Sequence, residues 1–93
     1  MSIIKTFYKN STDILDYDFD FGDWISIRGQ DTIISVEGVV DPGLTLYNVV
    51  QEINIVKVFV GGGVVGKSYN VSCVIQTAGG RRKTATIRLY ITE

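Results

Sequence analysis

The sequence predicts an all-β fold, a single antiparallel β-sandwich of about seven strands, and three observations support this prediction. Isoleucine and valine occur 12 times each and threonine 8 times among the 93 residues, and β-branched residues favour pleated strands over helices. The good helix formers leucine (4), alanine (2) and methionine (1) are scarce. Ten glycines and one proline separate short apolar runs, which is typical of an all-β domain. Residues 1–93 are therefore predicted to form one domain.

The N-terminal third contains the strictest alternation in the chain. Residues 1–8 are predicted to form an edge strand or an arm that docks on a neighbouring molecule. Residues 14–21 alternate with period two, which predicts a strand with one buried face. Its aromatic face is Tyr17, Phe19 and Phe21, and its acidic face is Asp16, Asp18 and Asp20. A turn at Gly22-Asp23 and a short strand at Trp24–Ile27 are predicted to follow.

The middle of the chain is divided by glycine turns. A turn at Gly29–Asp31 precedes a predicted strand at 32–40. Asp41-Pro42-Gly43 is the strongest turn signal, because proline presets its φ angle and glycine accepts positive φ. Strands are then predicted at 44–50 and 52–60, followed by a flexible loop at 61–67.

The C-terminal third predicts a hairpin. Residues 69–77 place Tyr69, Val71, Cys73 and Ile75 on one face, and the last strand does the same with Ala85, Ile87, Leu89 and Ile91. Residues 78–81 form the predicted turn between the two strands. Tyr69 begins a late strand after a glycine loop, which is where an immunoglobulin-type sandwich has its tyrosine corner. The predicted fold class is thus an immunoglobulin-like sandwich.

The residue types argue against catalysis and against resident cofactors. The chain has no histidine and one cysteine, so it lacks the commonest general base, an internal disulfide and the soft ligands of a zinc site. No apolar run is long enough for a membrane span, and no signal peptide is recognisable. We therefore expect a soluble, non-enzymatic protein with no metal and no cofactor, folded in a reducing cytoplasm.

The segment Gly61–Ser68 fits the P-loop expression G-x-x-x-x-G-K-[ST]. A P-loop needs a helix after it to bind phosphates, whereas residues 69–77 alternate as a strand. The chain is also too short for the parallel sheet that surrounds such a loop. We therefore predict that this protein binds no nucleotide, and an ATP-binding or GTP-binding enzyme is the disfavoured alternative.

Charge is unevenly distributed although the net charge is only −1, which disfavours nucleic acid as a partner. Residues 11–56 carry nine acids and one base, while residues 57–93 carry six bases and one acid. Either the folded chain is polarised and suited to head-to-tail contacts, or strand order mixes the charges. The candidate protein-contact residues are Asp16, Asp18, Asp20 and Asp23 on the acidic side, and Arg81, Arg82 and Lys83 on the basic side.

Three carboxylates spaced along one strand lie about 6.5–7 Å apart, which is too wide to chelate one calcium ion. We expect instead that the acidic and basic residues meet across subunits or partners.

The order of these segments resembles the fibre–tail adaptors, small immunoglobulin-like virion proteins of tailed bacteriophages. The resemblance covers residues 9–91 and rests on an ordered set of motifs. These are Lys9, Leu15-Asp16-Tyr17, Asp20-Phe21, Trp24-Ile25, Gly29, Asp31, Thr32-Ile33, Ser35, Gly43-Leu44, Val58-Phe59-Val60, Gly62, Gly66, Tyr69, Val71, Ile75, Thr77, Gly80 and Arg81. The chain departs from the pattern at Asn10-Ser11, where Asp-Pro is usual, and at Phe21 and Phe59, where tryptophan is common.

The resemblance implies a virion structural protein that links the tail or neck to tail fibres or spikes, assembled in several copies. Its partners would be other virion proteins. Related modules of the same fold also decorate capsids, so a capsid decoration (cement) protein is the alternative.

Overall fold

The computed structural model describes residues 3–26 and 31–93, and these residues form seven strands and one short helix. The strands are β1 (Ile3–Asn10), β2 (Leu15–Asp20), β3 (Ile33–Val40), β4 (Leu44–Glu52), β5 (Ile55–Gly62), β6 (Ser68–Thr77) and β7 (Arg82–Thr92), and the helix is α1 (Gly22–Ser26). The predicted all-β sandwich of about seven strands is confirmed.

The strands form two sheets with an immunoglobulin-like order. One sheet is β1-β7-β6-β3 and the other is β2-β5-β4. If β2 to β7 are labelled B to G, the sheets contain B-E-D and C-F-G, as in an immunoglobulin domain. The first strand differs from the constant-type arrangement, because β1 pairs in parallel with β7 instead of adding to the B-E-D sheet. That pair is the exception to the predicted antiparallel sandwich.

Strand alternation builds the core between the two sheets. Alternate residues are buried along most of β2, β5, β6 and β7, including Phe19, Val58, Cys73 and Leu89 at 1 % exposure or less. The faces predicted for Tyr17, Phe19 and Phe21, and for Tyr69 to Ile75, are therefore confirmed. Tyr69 also forms the expected corner, since its hydroxyl accepts a hydrogen bond from the Val64 N–H at 3.0 Å.

The predicted strand at Trp24–Ile27 is wrong, because Gly22–Ser26 form α1. The Asp20 carboxylate accepts a hydrogen bond from the Gly22 N–H at 2.8 Å, which turns the chain as β2 ends. The Phe21 carbonyl then accepts the Ile25 N–H at 2.9 Å. Ile27 and the Gly29-Gln30 part of the predicted turn lie outside the described residues.

Two boundaries also differ from the predictions. Ile53-Asn54 form a turn between β4 and β5, and Ile53 has φ +55°, a conformation that β-branched residues rarely adopt. Gly61 and Gly62 belong to β5, so the loop predicted at 61–67 is shorter. The segment 3–10 is an edge strand, and residues 1–2 of the predicted arm lie outside the described residues.

Candidate protein-contact surfaces

The acidic residues predicted on one face of β2 stand in a row on the outer surface of the three-stranded sheet. Asp16, Asp18 and Asp20 are all exposed and pair across the strands with Phe59, Lys57 and Ile55 of β5. Among the described residues, Asp18 is the one of the three that forms an ion pair, since the Lys57 Nζ lies 3.6 Å from its carboxylate. We call Asp16, Asp18 and Asp20 the acidic column.

Beside the acidic column the same sheet carries an apolar row. Tyr47 and Ile14 are each more than half exposed, and both lie over Gly61, because a Cβ built at Gly61 would meet the Tyr47 ring at 2.7 Å and the Ile14 side chain at 3.0 Å. Phe59 is half-buried next to them. The absence of a side chain at position 61 therefore lets the Tyr47 ring lie close to the backbone of the sheet. Sheet surfaces with a central aromatic residue and a charged rim suit protein contacts.

Arg81, one of the predicted basic contact residues, is partly buried and bonded to other parts of the protein. Its Nη2 and Nε atoms donate to the Asp31 carboxylate at 3.0 and 3.1 Å, and Nη2 also donates to the Ile25 carbonyl at 3.2 Å. Its guanidinium lies over the Trp24 ring, 4.5 Å from the centroid. Arg81 thus joins α1 to the β6–β7 turn, and its charge is already paired.

Asp31 is the partner that sequence analysis did not single out as a site. Its carboxylate is bonded by the Thr77 hydroxyl, by the Gly79 and Thr32 N–H groups and by Arg81, and this hydrogen bonding holds its pKa at about 2, below the usual 3.8, against an opposing effect of burial. A side chain at Gly79 would collide with the carboxylate at 2.9 Å. Because Asp31 and Arg81 are 50 residues apart, no local pattern could have paired them.

The remaining candidates are exposed and lie near this junction. Arg82 and Lys83 begin β7, next to the turn that Arg81 ends, and Asp23 lies in the first turn of α1. The structure therefore brings Asp23 to the same end of the sandwich as the basic residues. The acidic column follows the outer surface of the other sheet, so the two charged groups are presented in different directions from one molecule.

Lys9 is a buried charge at the opposite end. Its side chain is 1 % exposed, and its Nζ donates to the Asn10 and Gly62 carbonyls at 2.8 Å each. Burial lowers the pKa of Lys9, and the Asp13 carboxylate partly opposes this. The sequence contains a signal for this burial, because Lys9 is two residues from Phe7 and alternate residues of a strand face the same side.

Two other titratable groups, Cys73 and Tyr17, are buried in the core. Burial raises the pKa of the Cys73 thiol to about 12, so this thiol is protonated at neutral pH and is not a nucleophile. Burial, with Asp13 and Asp16, also raises the pKa of Tyr17. In the described part of the chain, the Tyr17 hydroxyl is buried without a hydrogen-bond partner.

The P-loop-like segment Gly61–Ser68 crosses between the sheets, and strand β6 follows it where a P-loop would need a helix. Within residues 3–26 and 31–93, no group of three His, Cys, Asp or Glu side chains is placed to hold a metal ion. Over the same ranges, no helix has the length and apolar character to span a membrane.

One comparison with known proteins gives a match. A family model described as "Podophage GP4 fiber-tail adaptor protein gp77" matches residues 9–90. No curated protein matches the chain.

Proposed function

This chain belongs to the podophage fiber-tail adaptor family, and we propose on that premise that it is a non-enzymatic link between the tail or neck of the virion and its fibres or spikes. The family assigns it a structural role in the phage tail. The proposal adds that it acts through protein–protein contacts alone, in several copies, after folding in the host cytoplasm. It binds neither nucleic acid nor nucleotide.

The observation that supports this proposal is the acidic column on a strand that is firmly anchored in the core. Three exposed carboxylates on a rigid strand form a preorganised surface, so little conformational entropy is lost when a partner binds. The exposed basic side chains of Arg82 and Lys83 provide the opposite charge in another direction. Charges arranged in this way speed up association and select partners.

Counting copies in purified virions tests the proposed location. Quantitative mass spectrometry would compare this chain with the portal and major capsid proteins of the same particles. A copy number near that of the portal supports the adaptor. A number near that of the capsid protein favours a capsid decoration protein, and absence from the particle contradicts both.

Charge reversal tests the contact residues. We expect Arg82→Glu with Lys83→Glu, or Asp16→Lys with Asp18→Lys, to weaken incorporation into particles. Arg81 is left unchanged because its reversal would break the junction with Asp31 and Trp24. Lys67→Glu is the matched control, since Lys67 is exposed on the loop at the opposite end. Incorporation unchanged by both double variants would remove these residues from the proposal.

A further inference from the structure

The acidic column lies on β2, an outer strand of its sheet whose outer edge is open as far as the described residues go. In an antiparallel ladder, the N–H and C=O groups of successive residues point alternately to the two sides. The Phe21 N–H donates to the Asn54 carbonyl, in the turn before β5, at 2.9 Å. Phe19 and Tyr17 lie two and four residues before Phe21, so their backbone N–H and C=O groups also point towards β5. The backbone groups of Asp16, Asp18 and Asp20 therefore point away from β5, towards the open side.

The position beside this edge is the one that the first strand takes in a constant-type immunoglobulin sandwich. Here β1 belongs to the other sheet, where it pairs with β7. Side chains of the two strands meet where the Phe7 and Tyr17 rings lie 5.1 Å apart. Among the described residues, none forms a strand on the open side of β2.

Exposed strand edges are normally protected, because they can pair with other chains. The other outer strand of this sheet, β4, is protected in two ways. Its register is interrupted between Leu46 and Asn48, and the Asn48 side-chain oxygen accepts the Val49 N–H at 2.9 Å. Gln51 Nε2 also donates to the Ile33 carbonyl of β3 at 3.3 Å, which links β4 to the opposite sheet. The strand β2 has a regular register, and within residues 3–26 and 31–93 no such side-chain cap lies on Asp16 or Asp18.

The acidic column disfavours pairing of β2 with the β2 strand of a second copy, but it does not disfavour pairing with a strand of opposite charge. Two copies pairing through β2 would place rows of carboxylates opposite each other, and like charges in directly opposite positions are destabilising. An incoming strand with basic residues would instead place each of them opposite an aspartate. The edge thus disfavours a second copy and favours a basic partner.

We propose that the edge of β2 accepts an extended segment of another virion protein by strand addition, with Lys or Arg at alternate positions opposite Asp16, Asp18 and Asp20. Backbone hydrogen bonds to the three aspartates would supply affinity, and the acidic column would set the register. The residues between the basic ones would face Phe7 and are expected to be apolar. The choice of a virion protein as the source rests on the proposed function, whereas the charge and extended form of the segment rest on the structure.

The test uses a peptide of alternating lysine and valine and a 15N-labelled sample of the full chain. Amide hydrogen exchange should slow by at least about tenfold at Asp16, Asp18 and Asp20 when the peptide binds, because their N–H groups become hydrogen-bonded. The Tyr17 and Phe19 amides already bond to β5 and should change little. This alternating pattern distinguishes strand addition from a charged contact through side chains alone.

Two control peptides separate charge from backbone pairing. A peptide with glutamate in place of lysine should not bind. A lysine–valine peptide with N-methylated amides on the pairing side keeps its charge but cannot form the ladder, and it should give no protection. If the N-methylated peptide binds as tightly as the parent, or if protection appears elsewhere on the protein, the proposal is overturned.

A pair of variants tests the same edge from the protein side. Asp18→Ala removes the carboxylate and its ion pair with Lys57 but keeps the N–H, whereas Asp18→Pro also removes the N–H. Proline is tolerated at edge positions whose N–H points outward, so the fold should survive. We expect peptide affinity to fall a few-fold with alanine and at least about tenfold further with proline. Equal affinities of the two variants would contradict strand addition.

The variants also separate this proposal from the proposed function. If wild-type protein is counted in virions near the portal number, and Asp18→Pro is incorporated as well as Asp18→Ala, strand addition is wrong while the adaptor role stands. If wild-type protein is missing from virions but the peptide experiment succeeds, the edge binds basic strands and the adaptor role is wrong.

Discussion

The two outer strands of the three-stranded sheet have the same neighbour, β5, but differ in how they are held and how they are exposed. The strand β4 is interrupted at Tyr47, and side chains of Asn48 and Gln51 bond groups near its edge. Its inward-facing Leu46 is 37 % exposed. The strand β2 is regular, carries carboxylates on its outer surface, and has buried Phe19 on its inner face.

This difference shows that anchoring and edge protection are separate properties of a strand. The strand β4 is protected along its edge and only partly anchored by side-chain burial. The strand β2 is anchored by aromatic side chains in the core and is left open along its edge. The carboxylates of the acidic column disfavour pairing of that edge with a second copy. An open edge on a strand whose side chains are buried in the core is the arrangement expected of a binding site.

The largest effect should come from removing the anchor of β2. Phe19→Ala should lower the free energy of unfolding by about 3–5 kcal/mol, because it leaves a cavity in a fully packed core. Leu46→Ala in β4 should lower the free energy of unfolding by only about 1–2 kcal/mol, because part of the Leu46 side chain is already in water. Urea denaturation of both variants measures the difference, and equal losses would mean that the two strands are anchored alike.

The junction that follows β2 should weaken in acid. The folded-state pKa of Asp31 is about 2 and lies below the usual 3.8, so the stability from its ionised form is complete above pH 3.8 and is lost as the pH falls towards 2. Trp24 fluorescence should report the loss, because the guanidinium that stacks on it is held by Asp31.

Asp31→Asn is the control for this titration, because other carboxylates also protonate in the same range. The variant should be less stable at neutral pH and should show a flatter dependence between pH 4 and pH 2. A wild-type and a variant curve that run parallel would show that Asp31 does not stabilise the end of β2.

A smaller effect is expected from uncapping β4. Asn48→Ala removes the acceptor of the Val49 N–H and should cost roughly 0.5–1.5 kcal/mol, the usual net contribution of one hydrogen bond. Hydrogen exchange at Val49 should become faster. Thr45→Ala, on an exposed position of the same strand, is the control and should leave that amide unchanged. Unaltered exchange at Val49 in Asn48→Ala would show that the cap does not protect the edge.

The smallest change in stability is expected when the acidic column is neutralised. Asp16→Ser, Asp18→Ser and Asp20→Ser together should change the free energy of unfolding by less than about 0.5 kcal/mol, since exposed substitutions rarely do more and serine can still cap Gly22. The variant should nevertheless self-associate, because its open edge no longer repels a second copy. Analytical ultracentrifugation at rising concentration measures this, with Glu37→Ser and Glu52→Ser as the control. A variant that stays monomeric would show that the three carboxylates are not what prevents self-association.

The sheets could be predicted from sequence because burial has a period of two in strands. Tyr17 and Phe19 in β2 and Val71 and Cys73 in β6 follow that period without a break, and their faces were predicted correctly. The Asp41-Pro42-Gly43 turn was equally clear, since Gly43 has φ +105° and the Leu44 N–H bonds back to the Asp41 carbonyl at 3.2 Å.

The errors lie where tertiary contacts outweigh local preference. Trp24 and Ile25 alternate as if in a strand, but Arg81 contacts both from the β6–β7 turn and holds them in a helix of five residues. The turn at Ile53 was missed because a β-branched residue with positive φ is rare. No pattern within a few residues reports either effect.

The contact site was only partly predictable for a similar reason. The alternation in β2 placed Asp16, Asp18 and Asp20 on one exposed face, as the structure has them. It could not show that β2 would be an outer strand, because that depends on where β1 pairs. Nor could the run Arg81-Arg82-Lys83 show that its first member is paired internally, because Asp31 is distant in sequence.

The buried amine of Lys9 has a practical consequence for labelling chemistry. Acylating reagents modify lysines that water can reach, so the exposed Lys67 and Lys83 should react at once while Lys9 reacts only when β1 separates from the sandwich. The rate of modification of Lys9, followed by peptide mass mapping, therefore measures how often the first strand opens. Comparing this rate in free protein and in intact particles would show whether assembly makes opening of that strand slower or faster.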